Sequence, residues 1–204
     1  MNSPSTSGRV RQNDGMASHV ALLRGINVGG RNKVPMAELR EVVTSLGHTG
    51  VTTYIQSGNV LFSTEDTDTA ELAAALQAAI AASFGIEAAV VVLSRDELAR
   101  ILGANPYTDE PNPKAVHVAF LGAEPSAELL DRIKAAESAA AAKGSRDTIT
   151  AIGKALYLHT PDGYGNSELA QVLFRVIGTG KHNLAVTARN WSTATTLLSL
   201  CEER

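Results

Sequence analysis

Two tandem α+β halves, each running strand, helix, strand, strand, helix, strand and then a trailing helix, are what this sequence predicts. Three observations predict them. The apolar pattern passes through that order once over residues 19–103 and again after residue 114. Letters repeat as well as elements: HVALL at 19–23 matches HVAFL at 117–121, and GNVLF at 58–62 resembles GKALY at 153–157. The offsets, 98 and 95, lie nearly in one register, as an internal duplication leaves them. Finally, the Pro- and Asn-rich stretch NPYTDEPNP, 105–113, reads as a linker between the two passes. The order is the split-βαβ, ferredoxin-like pattern. One mixed sheet built from both halves is the alternative. The expected organisation is an extension over 1–18, a first half over 19–104, a linker over 105–114 and a second half over 115–204.

Each element has a local reason. HVALL reads as a buried strand. In VPMAELREVVTSLG, Met36, Leu39, Val43 and Leu46 fall at helical spacing, Pro35 suits the first turn and Gly47 the C-terminal cap. VTTYI (51–55) and NVLFS (59–63) are strand-like runs on either side of a QSG hairpin loop. Asp68 and Glu71 form a capping pair before a helix with Leu72, Leu76, Ile80 and Phe84 four apart. EAAVVVL (87–93) is a strand, and Ser94 with Glu97 caps a short helix. In the second pass AVHVAFL (115–121) is a strand. Ser126 opens an alanine-rich helix that Gly144 ends, and DTITAI (147–152) and KALYLHT (154–160) form a hairpin. A helix starts near Asn166 or Ser167, LAVTA (184–188) is the last strand and WSTATTLLSLCEE the last helix.

Bulk composition narrows the function. Of 204 residues 44% are hydrophobic and 19% charged, ordinary values for a globular protein. A net charge of -3 argues against a generally basic nucleic-acid binder but leaves room for a local basic patch. The one cysteine, Cys201, cannot form an internal disulfide. Residues 1–18 lack an apolar core of signal-peptide type and read as a flexible extension. No apolar run approaches the roughly 20 residues a membrane span needs. A cytoplasmic location, with no membrane partner, is the expectation.

Topology then selects the candidate site. Right-handed crossovers make the first two strands of each half parallel, so the loop after strand one and the hairpin after strand two share an end of the sheet. In the first half these are RGINVGGRNK (24–33) and QSGN (56–59). They bring together Arg24, Gly25, Asn27, Gly29, Gly30, Arg31, Lys33, Gln56, Ser57, Gly58 and Asn59. The helix from Ser94 is expected to carry NPY back toward this end. In the second half TPDGYGNS (160–167), with Asn166 and Ser167, and TARNW (187–191), with Arg189, Asn190 and Trp191, are neighbours by the same rule.

LLRGINVGGRNKVPMAELR, YIQSGNVLFS, PDGYGNSEL and TARNW resemble the signatures of the DUF1697 family, bacterial proteins of unknown function. The resemblance runs over about residues 19–200. It implies a fold of two related α+β halves and supplies no reaction, cofactor or catalytic residue.

Each candidate has a sharp and a plain reading. Glycines let backbone amides approach an anion, the following helix N-terminus adds partial positive charge, and Arg24, Arg31 and Lys33 add whole charges. The stretch matches neither G-x-x-x-x-G-K-[ST] nor G-x-G-x-x-G, and a sharp solvated turn explains it too. QSGN offers amide edges or a self-satisfied hairpin. GNS is first an N-cap. Trp191 is a stacking platform for a base or, more simply, a packing anchor. The five histidines have no metal-ligand spacing, and His159 is a general base or a hydrogen-bonded strand-end residue. No metal and no cofactor is expected. The leading expectation is a binding protein for a phosphate-bearing or other anionic ligand, a nucleotide or a short RNA, at the glycine-rich basic loop. An enzyme with its site between the halves and a self-association module are the alternatives, and neither the oligomeric state nor any catalytic residue follows from the sequence.

Overall fold

A computed structural model describes residues 17–177 and 184–203. The reading of 1–16 as an extension lies outside the described residues. At its end Ala17 is buried and the Ser18 hydroxyl donates to the Thr64 carbonyl, so both belong to the fold.

The chain is α+β, with two four-stranded antiparallel sheets and six α-helices among the described residues. The first sheet holds β1 (His19–Leu23), β2 (Thr49–Tyr54), β3 (Asn59–Ser63) and β4 (Val90–Ser94) in the order β2-β3-β1-β4. The second holds β5 (Val116–Leu121), β6 (Thr148–Ile152), β7 (Ala155–His159) and β8 (Val186–Asn190) in the corresponding order β6-β7-β5-β8. The helices are α1 (Met36–Ser45), α2 (Thr69–Phe84), α3 (Arg95–Gly103), α4 (Ala127–Ala141), α5 (Glu168–Ile177) and α6 (Trp191–Glu202).

The caps act where the side chains place them. Asp68 accepts from the Ala70 and Glu71 amides, Ser94 from Glu97, Ser126 from Leu129 and Ser167 from Ala170. A side-chain oxygen at each position satisfies amides the first turn leaves orphaned. α1 differs, because Pro35 stands at its N-cap and gives no side-chain bond. The last strand also departs from expectation. It covers Val186–Asn190 rather than 184–188, so Arg189 lies within it, opposite Val118, instead of in a loop.

Strand alternation gives each sheet two apolar faces. The outer face of the first sheet packs under α1 and α2 through Val60, Phe62, Leu39, Val43, Leu76 and Ile80. The outer face of the second packs Leu121, Leu156 and Leu158 with Leu129, Ile133 and Leu173 of α4 and α5. The inner faces share one cluster: Leu22, Leu61 and Leu93 from the first sheet, Phe120 and Tyr157 from the second, with Leu98 and Ile101 of α3 and Leu197 and Cys201 of α6. Each trailing helix reaches the other sheet. α6 packs on β3, while the buried Tyr157 hydroxyl of β7 donates to the Ile101 carbonyl of α3 at 2.6 Å. Burial pushes that phenol up to about 12, so it stays a donor.

Tyr157→Phe removes this bond and leaves the Ile101 carbonyl only the Ala104 amide, at 3.2 Å. Chemical denaturation is expected to show a loss of about 1–2 kcal/mol with no change in far-ultraviolet circular dichroism.

Candidate functional site

The loop of residues 24–35 and the β2–β3 hairpin meet, as chain topology requires. The Leu23 amide donates to the Gly58 carbonyl at 2.8 Å, and the Asn27 carboxamide donates to the Gln56 carbonyl at 3.1 Å. Gly58 is what lets them close: its φ is +78°, and a Cβ there would stand 2.7 Å from the Leu23 Cβ and 2.9 Å from the Ile26 Cδ1. No side chain fits that space.

Two asparagines staple the loop to itself. Asn27 Oδ1 accepts from the Val34 amide at 2.8 Å while its Nδ2 also donates to the Val34 carbonyl at 3.0 Å. Asn32 Nδ2 donates to the Gly25 carbonyl at 2.8 Å, and the Asn27 amide to the Asn32 carbonyl at 3.0 Å. Both residues have positive φ, which asparagine tolerates better than most. Asn27 is thus committed to the backbone of the loop and of the hairpin. Other groups face outward: the Gly29 and Gly30 amides find no acceptor among the described residues, and the exposed side chains of Arg31 and Lys33 no hydrogen bond or ion pair. Asn27, Gly30, Lys33, Pro35 and Gln56 rim a shallow depression beside the uncapped start of α1. Arg24 points elsewhere, its guanidinium carbon 5.8 Å from the ring centre of Phe174 in α5.

The second-half segments lie on the other flank of the hairpin. Arg189 is buried and spans both sheets. Nε donates to Asn59 Oδ1 at 2.5 Å, Nη1 to Thr187 Oγ1 and the Ala188 carbonyl at 2.7 and 2.8 Å, and Nη2 to the Leu23, Ser57 and Gly58 carbonyls at 2.8, 3.1 and 3.3 Å. All three nitrogens are occupied by neutral acceptors, with no carboxylate in the set. Loss of hydration pulls its pKa down to about 10, which still leaves it a cation. Arg189 and Asn59 are therefore brackets between the halves rather than open ligand contacts. Asn59 also donates to the Tyr54 carbonyl and Ser57 Oγ at 3.0 Å each.

A cavity of about 330 Å³ opens beside this bracket, lined by Ile55, Ser57, His117, Tyr164, Arg189, Asn190 and Thr193 among others. His117 pairs with Asn190 across β5 and β8, so their side chains share a face. The Tyr164 ring, on a single 3₁₀ turn at Tyr164–Asn166, stacks on the His117 ring at 4.0 Å. His117 Nδ1 is buried with no partner among the described residues, and burial pushes the imidazole down to about 4. Ile55, half-exposed at the lip, has φ +48°, an outlier for a β-branched residue. Sequence reasoning missed Ile55, His117 and Tyr164. Only the pairing of His117 with the TARNW strand could have pointed to them.

The remaining candidates are dispersed. Asn190 caps α6 through the Thr193 amide at 2.7 Å, and Trp191 packs half-buried against the shared core. Ser167 caps α5 and donates to Asp147 at 2.7 Å. With Asn166 it lines a separate depression that includes Lys143 and Asp162. His159 Nε2 lies 2.6 Å from Glu110 Oε2 and its ring stacks on Tyr107. The Asn112 amide first, and the His159 bond second, hold the Glu110 carboxyl below its usual range. The NPY segment thus docks on the second sheet: the Tyr107 hydroxyl bonds Thr148 and Thr150 of β6 at 3.0 and 3.1 Å. Among the described residues no His, Cys, Asp and Glu group suits a metal ion, and no helix is long and apolar enough to cross a membrane.

Replacing Arg189 by Met keeps bulk but strips every donor from the bracket. A loss of roughly 3–5 kcal/mol in unfolding free energy is expected, because several buried acceptors lose their partner together. A pH effect follows from the histidines. Burial lowers the pKa of His19, His48 and His117, so the unfolded chain binds protons that the folded chain refuses. Stability is complete above about pH 6.5 and falls as pH drops toward 4. For His117 the loss is about 2 kcal/mol after allowance for solvent screening. Urea midpoints measured between pH 7 and 4.5 check it, and His117→Phe flattens the slope.

Comparison with known proteins adds a family and a fold. The family model described as "Protein of unknown function (DUF1697)" matches residues 16–157. The solved structure of conserved bacterial protein SP0830 from Streptococcus pneumoniae is 24% identical, covers 92% of this chain and 99% of that one, and superposes with a TM-score of 0.66. No curated protein matches.

Proposed function

This chain belongs to the DUF1697 family, and we propose that it is a cytoplasmic binding protein for a phosphate-bearing ligand, a nucleotide or a short RNA, held at the loop of residues 24–35. One observation supports the reading above the others. The inward side of the loop is consumed by Asn27 and Asn32, yet the Gly29 and Gly30 amides and the Arg31 and Lys33 side chains have no internal partners among the described residues. Gly30 and Lys33 lie beside the first turn of α1, which no side chain caps. Unpaired amides, a helix N-terminus and two cations converge on the chemistry of a phosphate group. Gln56 on the same rim adds an amide edge.

The scaffold in this reading is a pair of ferredoxin-like halves, 19–104 and 115–204, descended from an internal duplication and joined by the 105–114 linker. The corresponding strand orders of the two sheets support it.

Arg31→Ala with Lys33→Ala tests the loop. Neither side chain holds the fold together, so the thermal midpoint is expected to stay within about 2 °C of wild type. Binding of ATP or of a fluorescent single-stranded RNA is expected to weaken at least tenfold. For RNA, the log–log salt slope is expected to flatten by about 0.7 for each phosphate that the variant no longer neutralises. Equal affinity in the double variant and the wild type removes the loop as the site.

A further inference from the structure

The cavity at the end of β8 lies on the far flank of the hairpin from the loop and makes a different set of groups available. We propose that it is a separate binding site for a compact organic anion, an oxyanion head on a flat apolar body, and that the bound molecule contacts both halves of the chain.

Charge is the first argument. Arg189 carries a buried cation whose hydrogen bonds all end on neutral oxygens and amide dipoles, and the lining holds no Asp or Glu. An anion entering here supplies the countercharge that the protein does not.

The inventory of remaining hydrogen-bonding groups has the same sign. Asn190 Oδ1 is taken by the Thr193 amide, which leaves its Nδ2 to donate. Ser57 Oγ already accepts from Asn59, which leaves its proton. The Thr193 and Tyr164 hydroxyls make no hydrogen bond among the described residues. The His117 ring lines the same wall, although its Nδ1 is closed off from the cavity space.

The apolar part follows from the lip. Ile55 is 51% exposed on a backbone conformation β-branched residues avoid, and Tyr164 belongs to the same lining. An exposed apolar side chain and an aromatic ring in one lining give a flat body apolar surface to lie on. The volume, about 330 Å³, sits at the lower end of the roughly 300–1,000 Å³ range of small-molecule pockets and admits a one-ring compound.

Titration of the full-length protein with benzoate and with phenyl phosphate, beside benzyl alcohol as the uncharged control, tests the proposal by calorimetry and by the His117 imidazole NMR signals. At least one anion is expected to bind saturably, at least tenfold tighter than the alcohol, and to shift the His117 signals. The two anions distinguish a carboxylate from a phosphate ester. Asn190→Asp keeps the helix cap and places a negative charge in the wall, so affinity is expected to fall at least tenfold. Thr193→Val removes one donor at constant shape and is expected to cost threefold or more. The Arg31→Ala, Lys33→Ala protein is expected to bind these probes as wild type does, which separates this site from the loop. No saturable binding of either anion, equal binding of benzyl alcohol, or full affinity in both folded cavity variants overturns the proposal.

Discussion

A single guanidinium, that of Arg189, holds the two halves in register. Arginine suits the position because its planar fork presents five N–H groups in fixed directions, and the end of β1, the β2–β3 hairpin and β8 itself offer oxygens on all sides. Lysine has three donors and no fork, so it cannot reach Asn59 and the Leu23, Ser57 and Gly58 carbonyls together. The Gly58 turn is arranged around the same point, since its carbonyl receives both the Leu23 amide and Nη2 of Arg189. Backbone shape and buried charge therefore specify each other here.

The shared core makes that bracket worth having. α3 follows the first sheet in the chain but carries the carbonyl that Tyr157 of the second sheet needs, and α6 packs on β3 of the first. Each sheet keeps its own outer helices, α1 and α2 or α4 and α5, and depends on both trailing helices for its inner face. Hydrophobic burial of this kind is strong but indifferent to direction. Hydrogen bonds from Arg189 and Tyr157 convert it into one definite orientation.

How much of this was legible in the sequence depended on the range of the interaction. Caps are local, and Asp68, Ser94, Ser126 and Ser167 announced their helices because the bonded amide lies two or three residues on. The meeting of the 24–33 loop with QSGN was also legible, because strand direction follows from chain order. β8 was not. TARNW is polar, and polarity reads as loop, but Arg189 is buried by a hairpin 130 residues away, and no pattern within β8 records that. The loop asparagines misled for the opposite reason. Asn27 is the type of residue that binds ligands, yet its carboxamide closes on Val34, seven positions along. His117 escaped notice because an isolated histidine in an apolar strand carries no signal until Tyr164 and Asn190 are set beside it.

The hairpin of residues 55–58 gives these parts a common logic. Its successive side chains turn to opposite flanks: Gln56 toward the glycine loop, Ile55 and Ser57 toward the cavity. One flank is open, solvated and lined by exposed cations, so any attraction there is long-ranged and sensitive to salt. The other is also open at its mouth, but its cation is buried and held by neutral oxygens that do not ionise. Such a charge cannot reorganise to accommodate a visitor, so it selects by position rather than by adjustment. A chain of net charge -3 thus keeps two differently built positive regions a few residues apart, and the turn that divides them is also the one Arg189 grips. Anything that displaces the hairpin must break the bracket first, which couples both flanks to the packing of the two halves.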